Sequence, residues 1–134
     1  SDCELISSFK KNGTFIESYN SSLNFNKVIA STRANSYISM ISGVKTRLNI
    51  KDSTFASDAE TAILFSLKDS FVDCSKSLLK VSGKRGRIGE FFGVEGCIEK
   101  NTIHCNFDLN NASVSTFYFD KNSAIELLDN EIFK

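Results

Sequence analysis

The apolar positions of this chain fall in short runs. Each run is too short for a helix and is bounded by Ser, Asn, Asp or Gly, a pattern that reads as strands between turns. One motif returns five times: an apolar residue, two residues, then Asn or Ser, one residue, and a second apolar residue. It stands at Leu23-x-x-Asn26-x-Val28, Ile50-x-x-Ser53-x-Phe55, Leu67-x-x-Ser70-x-Val72, Ile98-x-x-Asn101-x-Ile103 and Leu127-x-x-Asn130-x-Ile132. The tripeptide Lys51-Asp52-Ser53 recurs intact as Lys68-Asp69-Ser70. A second apolar series, Ile16, Ile38, Ile63, Ile88 and Val114, runs between the copies at spacings of 22, 25, 25 and 26 residues.

A shared period of about 25 residues fits three short strands and three turns per repeat. Coiling such a repeat stacks each strand on its equivalent in the next turn. Parallel pairing then satisfies the backbone and places like side chains in columns. Asn suits the bends because it tolerates the left-handed backbone region and bonds its own backbone. The complete lack of proline agrees, since a ladder strand cannot give up an N–H.

Two segments carry a family resemblance. Ile50-Lys51-Asp52-Ser53-Thr54-Phe55-Ala56-Ser57-Asp58, followed by Ala62-Ile63-Leu64-Phe65, resembles a rung of the right-handed parallel β-helix repeat proteins. So does Ile98-Glu99-Lys100-Asn101-Thr102-Ile103-His104-Cys105-Asn106. The resemblance spans roughly residues 14 to 133. It implies an all-β, right-handed parallel β-helix of about five rungs, a single domain over residues 1–134. Residues 1–13 then read as an N-terminal cap and 82–93 as an inserted loop. Ile50, Phe55, Ile63, Phe65, Ile98, Ile103 and Leu127 are expected to point inward. An antiparallel β-sandwich is the alternative that short strands and turns also allow. The motif at Leu67 is out of step, since it follows Ile50 by only 17 residues and precedes the next copy by 31.

Charge narrows the partners. Sixteen Lys and Arg residues balance 16 Asp and Glu residues. This removes the electrostatic reason to expect nucleic acid or an anionic membrane. No apolar stretch is long enough to span a bilayer. Ser and Asn number 20 and 12, a composition that suggests disorder without regular apolar spacing; here they fill turns. Cys3, Cys74, Cys97 and Cys105 have no zinc spacing and read as small buried residues rather than disulfides.

Candidate chemistry is sparse. Ser82 to Gly93 holds four of the seven glycines and the cations Lys84, Arg85 and Arg87. With Glu90 and Phe91 these are the candidate ligand-binding residues, for an anionic sugar, a phosphate or a partner. Asp52, Asp69 and Asp129 suggest an acidic column, which Phe25 and Lys100 interrupt, so turn hydrogen bonding is the plainer role. His104 has no nucleophile in reach along an extended strand. No catalytic residue, metal site or cofactor is indicated.

The family includes pectate lyases, other polysaccharide-active enzymes, phage tailspikes, adhesins and surface proteins, so fold alone does not decide function. The resemblance implies an extracellular or cell-surface module that binds carbohydrate or a protein without catalysis. A polysaccharide lyase or hydrolase and a structural spacer are the alternatives. The last copy stops one residue after its apolar pair, which suggests a longer chain or self-association through an uncapped end.

Overall fold

The computed structural model describes residues 3–9, 11–107 and 116–133. Among these residues it contains strands and no helix. In chain order they are β1 (Cys3–Phe9), β2 (Asn12–Tyr19), β3 (Ser22–Asn26), β4 (Val28–Ala34), β5 (Tyr37–Val44), β6 (Arg47–Lys51), β7 (Thr54–Asp58) and β8 (Thr61–Lys68). The second half continues with β9 (Phe71–Ser75), β10 (Leu78–Gly83), β11 (Arg85–Phe92), β12 (Glu95–Glu99), β13 (Thr102–Phe107), β14 (Phe117–Phe119), β15 (Ala124–Leu128) and β16 (Glu131–Phe133).

The strands stack as a parallel β-solenoid with three sheets. The first sheet runs β1-β4-β7-β10-β13-β16, the second β2-β5-β8-β11-β14 and the third β3-β6-β9-β12-β15. The coil makes four turns between the first and last strand of each five-stranded sheet, slightly fewer than the expected rung count. The register sets the true period. Phe25, Ile50, Cys74, Ile98 and Leu127 stand in one column, spaced 25, 24, 24 and 29 residues.

Two of the three corners share one chemistry. Asn20, Lys45, Asp69 and Gly93 occupy one corner and Lys27, Asp52, Lys76, Lys100 and Asp129 another, with φ from 49° to 64°. Each turns the chain with one left-handed residue, and in most coils a Ser, Thr or Asn follows it. At the second corner these side chains form an inward ladder. Val28 N–H donates to Ser53 Oγ, Ser53 N–H to Ser77 Oγ, Ser77 N–H to Asn101 Oδ1 and Asn101 N–H to Asn130 Oδ1. Every link runs to the next coil, so the corner's N–H groups stay paired where the strands cannot pair them. Left-handed backbone costs an ordinary residue about 1–2 kcal/mol, and glycine escapes most of it. Lys76→Gly should therefore raise stability by about 0.5 kcal/mol after glycine's added unfolded-chain entropy, read as a small rise in Tm.

This arrangement corrects several expectations. The Lys-Asp-Ser repeat belongs to two different corners of the coil, so Asp69 shares no column with Asp52 and Asp129. Lys76 and Lys100 stand between those two, and no acidic column forms. The motif at Leu67 is out of step for the same reason. Ile38 pairs with Ala62 and Ile63 with Ser39 and Arg87, while Ile88 precedes Gly89, the partner of Phe65, so the three isoleucines share no column. Val114 lies outside the described residues. Residues 82–93 are not an inserted loop: Arg85–Phe92 pairs in register with Thr61–Lys68. Their glycines serve a strand. A Cβ on Gly86 would lie 1.9 Å from the Ala62 carbonyl oxygen. Residues 3–9 are a paired strand of the first sheet rather than a separate cap.

The core holds the inward columns of all three sheets, including Ile50, Phe55, Phe65, Ile98 and Ile103 as expected. Leu127 shares the Ile50 column yet is 43% exposed, because no described coil stacks beyond it. Ile63 is buried, but not in the core.

Candidate binding face on the bent sheet

The second sheet is not straight. Met40 and Ile41 are consecutive and both fully buried in the core, as are Leu64 and Phe65. Successive residues of an extended strand face opposite sides, so the strands must bend here. Pairing agrees: it stops at Ser39↔Ile63 and resumes at Ile41↔Phe65. Gly89 takes the matching place in β11, and its missing side chain leaves room for the Phe91 ring, 2.4 Å from where a Cβ would sit.

The bend folds the outer face inward along the coil axis. Arg87 and Glu90 are three residues apart and would face opposite ways on a straight strand, yet their charged ends approach to 3.7 Å. Ser39 and Ile63 neighbour core residues, face outward, and are still only 4% and 5% exposed. Ile63 opens onto a shallow groove there. Thr61, Ile63, Arg85, Gly86, Arg87 and Glu90 line a cleft of about 180 Å³ within it. Tyr37, Thr61 and Arg85 stack in register as one wall. Glu90 and Tyr118 stack as the other. Tyr118 is packed at 5.4 Å against Phe92, and the Arg87 guanidinium lies 5.2 Å from its ring. Tyr37, Phe92 and Tyr118 each keep a little over a third of their surface exposed.

The charges are unevenly matched. Glu90 holds Arg87, and Glu60 holds Lys84 at 3.7 Å. Among the described residues the Arg85 side chain has no ion-pair partner, so the groove keeps one uncompensated cation. Burial, and behind it Glu90, raise the phenol pKa of Tyr37 against a smaller opposing pull from the Ser39 hydroxyl. Ser39 Oγ is buried and has no hydrogen-bond partner among the described residues. Tyr37 therefore stays protonated and is a poor base. Burial pushes the Cys74 thiol up to about 12, so it is inert. Cys74 and Cys105 are buried, whereas Cys97 is half-exposed on the third sheet. Among the described residues no cluster of three His, Cys, Asp or Glu side chains is placed to share a metal ion.

Of the residues marked by the sequence, Arg85, Arg87 and Glu90 come together here. Lys84 sits at the corner beside Glu60, away from the cleft. Phe91 is corrected: it is fully buried, stacked on Phe117 and Phe119 at 6.2 and 5.7 Å, and offers no outer surface. Phe92 takes the outward place. Tyr37, Thr61, Ile63 and Tyr118 were not foreseen as site residues. The 24-residue spacing of Tyr37, Thr61 and Arg85 was the signal that would have found the first wall. Comparison of the chain with protein-family models, curated proteins and solved structures finds no match, so the parallel β-solenoid itself is what classifies it.

Proposed function

We propose that this β-solenoid is a non-catalytic module, extracellular or at a cell surface, that binds carbohydrate along the outer groove of its bent sheet. The supporting observation is the pairing of exposed aromatic rings with an uncompensated arginine beside a concave strip. Flat rings such as Tyr118 and Phe92 offer an apolar face with, in tyrosine, a polar tip, which suits the mixed surface of a sugar ring. Arg85 and Thr61 supply hydrogen-bond donors that fix orientation. The groove runs across the strands, so a chain-like ligand meets equivalent positions about every 4.8 Å.

A glycosidase reading asks for two carboxyl groups flanking the ligand. The cleft is lined by one, Glu90, already engaged by Arg87. This favours binding over hydrolysis. The test is isothermal titration of wild-type protein and of Arg85→Ala/Tyr118→Ala against a panel of soluble xylan, galactan, chitin fragments, polygalacturonate and chondroitin sulfate. At least one polymer should bind the wild type, and the double variant should bind it at least about tenfold more weakly, or 1.4 kcal/mol, with Tm nearly unchanged. Equal binding by both proteins, or cleavage of a polymer during titration, would count against this reading.

A further inference from the structure

A second concave patch lies on the outer face of the first sheet, away from the bent sheet. It has a volume of about 350 Å³, and its lining includes Ser31, Ala56, Asp58, Lys80, His104 and Asn106. The space exists because the outward column through Lys80 and His104 carries only Ser31 and Ala56 on the two preceding coils. Lys80 pairs in register with His104, and Ser82 with Asn106. In-register partners on neighbouring strands lie ~4.8 Å apart, and same-face residues along a strand ~6.7 Å apart. The four side chains thus stand at the corners of one small rectangle.

Their hydrogen-bonding capacity is one-sided. Lys80 donates only, and the Asn106 amide and the His104 ring each bring N–H groups. The nearby carboxylate is already engaged on both oxygens. Ser82 donates its hydroxyl to Asp58 Oδ1 at 3.1 Å, and Arg33 meets Asp58 Oδ2 at 3.4 Å. Among the described residues Lys80 has no ion-pair partner. The His104 ring is braced flat on Phe133, with centroids 4.9 Å apart and an angle of 15° between planes. A cation, a braced ring and an amide therefore line one hollow, whose carboxylate, Asp58, is already taken up by Ser82 and Arg33.

We propose that this patch binds one tetrahedral oxyanion, a phosphate or sulfate group, held by Lys80, His104 and Asn106. Charge-assisted hydrogen bonds to such oxygens are the strong ones. The group is a free ion or an ester on a larger molecule, and the two sources are separable. Side-chain NMR of Lys80 and His104 is followed during titration with inorganic phosphate, sulfate, glucose 6-phosphate and glucose. Saturable shifts are expected with the three anions and none with glucose. Tighter binding of glucose 6-phosphate than of phosphate assigns the site to an ester, and equal binding assigns it to the ion; either supports the site. Lys80→Gln and His104→Gln should each weaken phosphate binding about tenfold, and Lys51→Gln, at an exposed cation of the third sheet, should leave it unchanged. Non-saturating shifts with every anion would overturn the proposal, as would undiminished binding by a folded Lys80→Gln/His104→Gln protein.

Discussion

Phe55→Ala is expected to lower the free energy of unfolding by about 3–5 kcal/mol, among the largest losses any single core change should cause here. Phe55 is fully buried on the first sheet. Its ring meets Phe25 of the third sheet edge-on at 5.3 Å and Phe65 of the bent sheet at 6.1 Å. One aromatic ring from each sheet therefore closes the middle of the coil. Ala30 sits below Phe55 in the same column and Leu79 above it. Alanine below offers no bulk that could move into the void, so the cavity stays open. Urea unfolding should show the loss, with Tm lower by about 10–20 °C for a chain of this size. Ile6→Ala is the matched control: Ile6 is 71% exposed, and its loss should cost little. A Phe55→Ala loss under about 1 kcal/mol would mean that the three sheets do not share this core.

Asn101→Ala should cost about 2–5 kcal/mol for a different reason. Asn101 is buried at the corner ladder. Its Oδ1 accepts from Ser77 N–H at 3.0 Å, and its Nδ2 donates to the Cys74 carbonyl and to Asn130 Oδ1, both at 3.0 Å. Alanine leaves the Ser77 N–H and the Cys74 carbonyl without these partners, each at roughly 1–3 kcal/mol when buried. Asn101→Ser tests the mechanism. Ser77 occupies the same place one coil earlier, accepting from Ser53 N–H at 3.1 Å and donating to the Ser75 carbonyl at 2.8 Å. Serine at 101 should thus recover the bond to Ser77 N–H and about half the lost stability. Equal losses for Ala and Ser would show that shape, not hydrogen bonding, matters at this corner.

The architecture was legible in the chain because burial and turning repeat together. Ile50, Ile98 and Leu127 do share a column, and short apolar runs between Ser, Asn and Asp did mark strands. The register was not legible, for a physical reason. Two corners use the same left-handed residue followed by a small hydroxyl, so Lys51-Asp52-Ser53 and Lys68-Asp69-Ser70 look equivalent without being so. The glycines from Gly83 to Gly93 suggested a loop. Gly83 and Gly86 instead take strand backbone with φ of 148° and 155°, where any Cβ would strike the preceding coil. The bend at Met40-Ile41 and Leu64-Phe65 breaks strict alternation, and this is why Ile63 was assigned to the core and Phe91 to the surface. The site followed the same limit. Arg85, Arg87 and Glu90 were visible by local charge, but their neighbours Tyr37, Thr61 and Tyr118 come from other coils and need the register.

Backbone NMR during titration with fragments of the tightest-binding polymer tests the functional reading most directly. Perturbations are expected to centre on outward positions of the bent sheet, at Tyr37, Thr61, Arg85, Arg87, Phe92 and Tyr118, with the third sheet unmoved. Perturbations centred instead on the third sheet, around Arg47, Asn49 and Asp73, would contradict it.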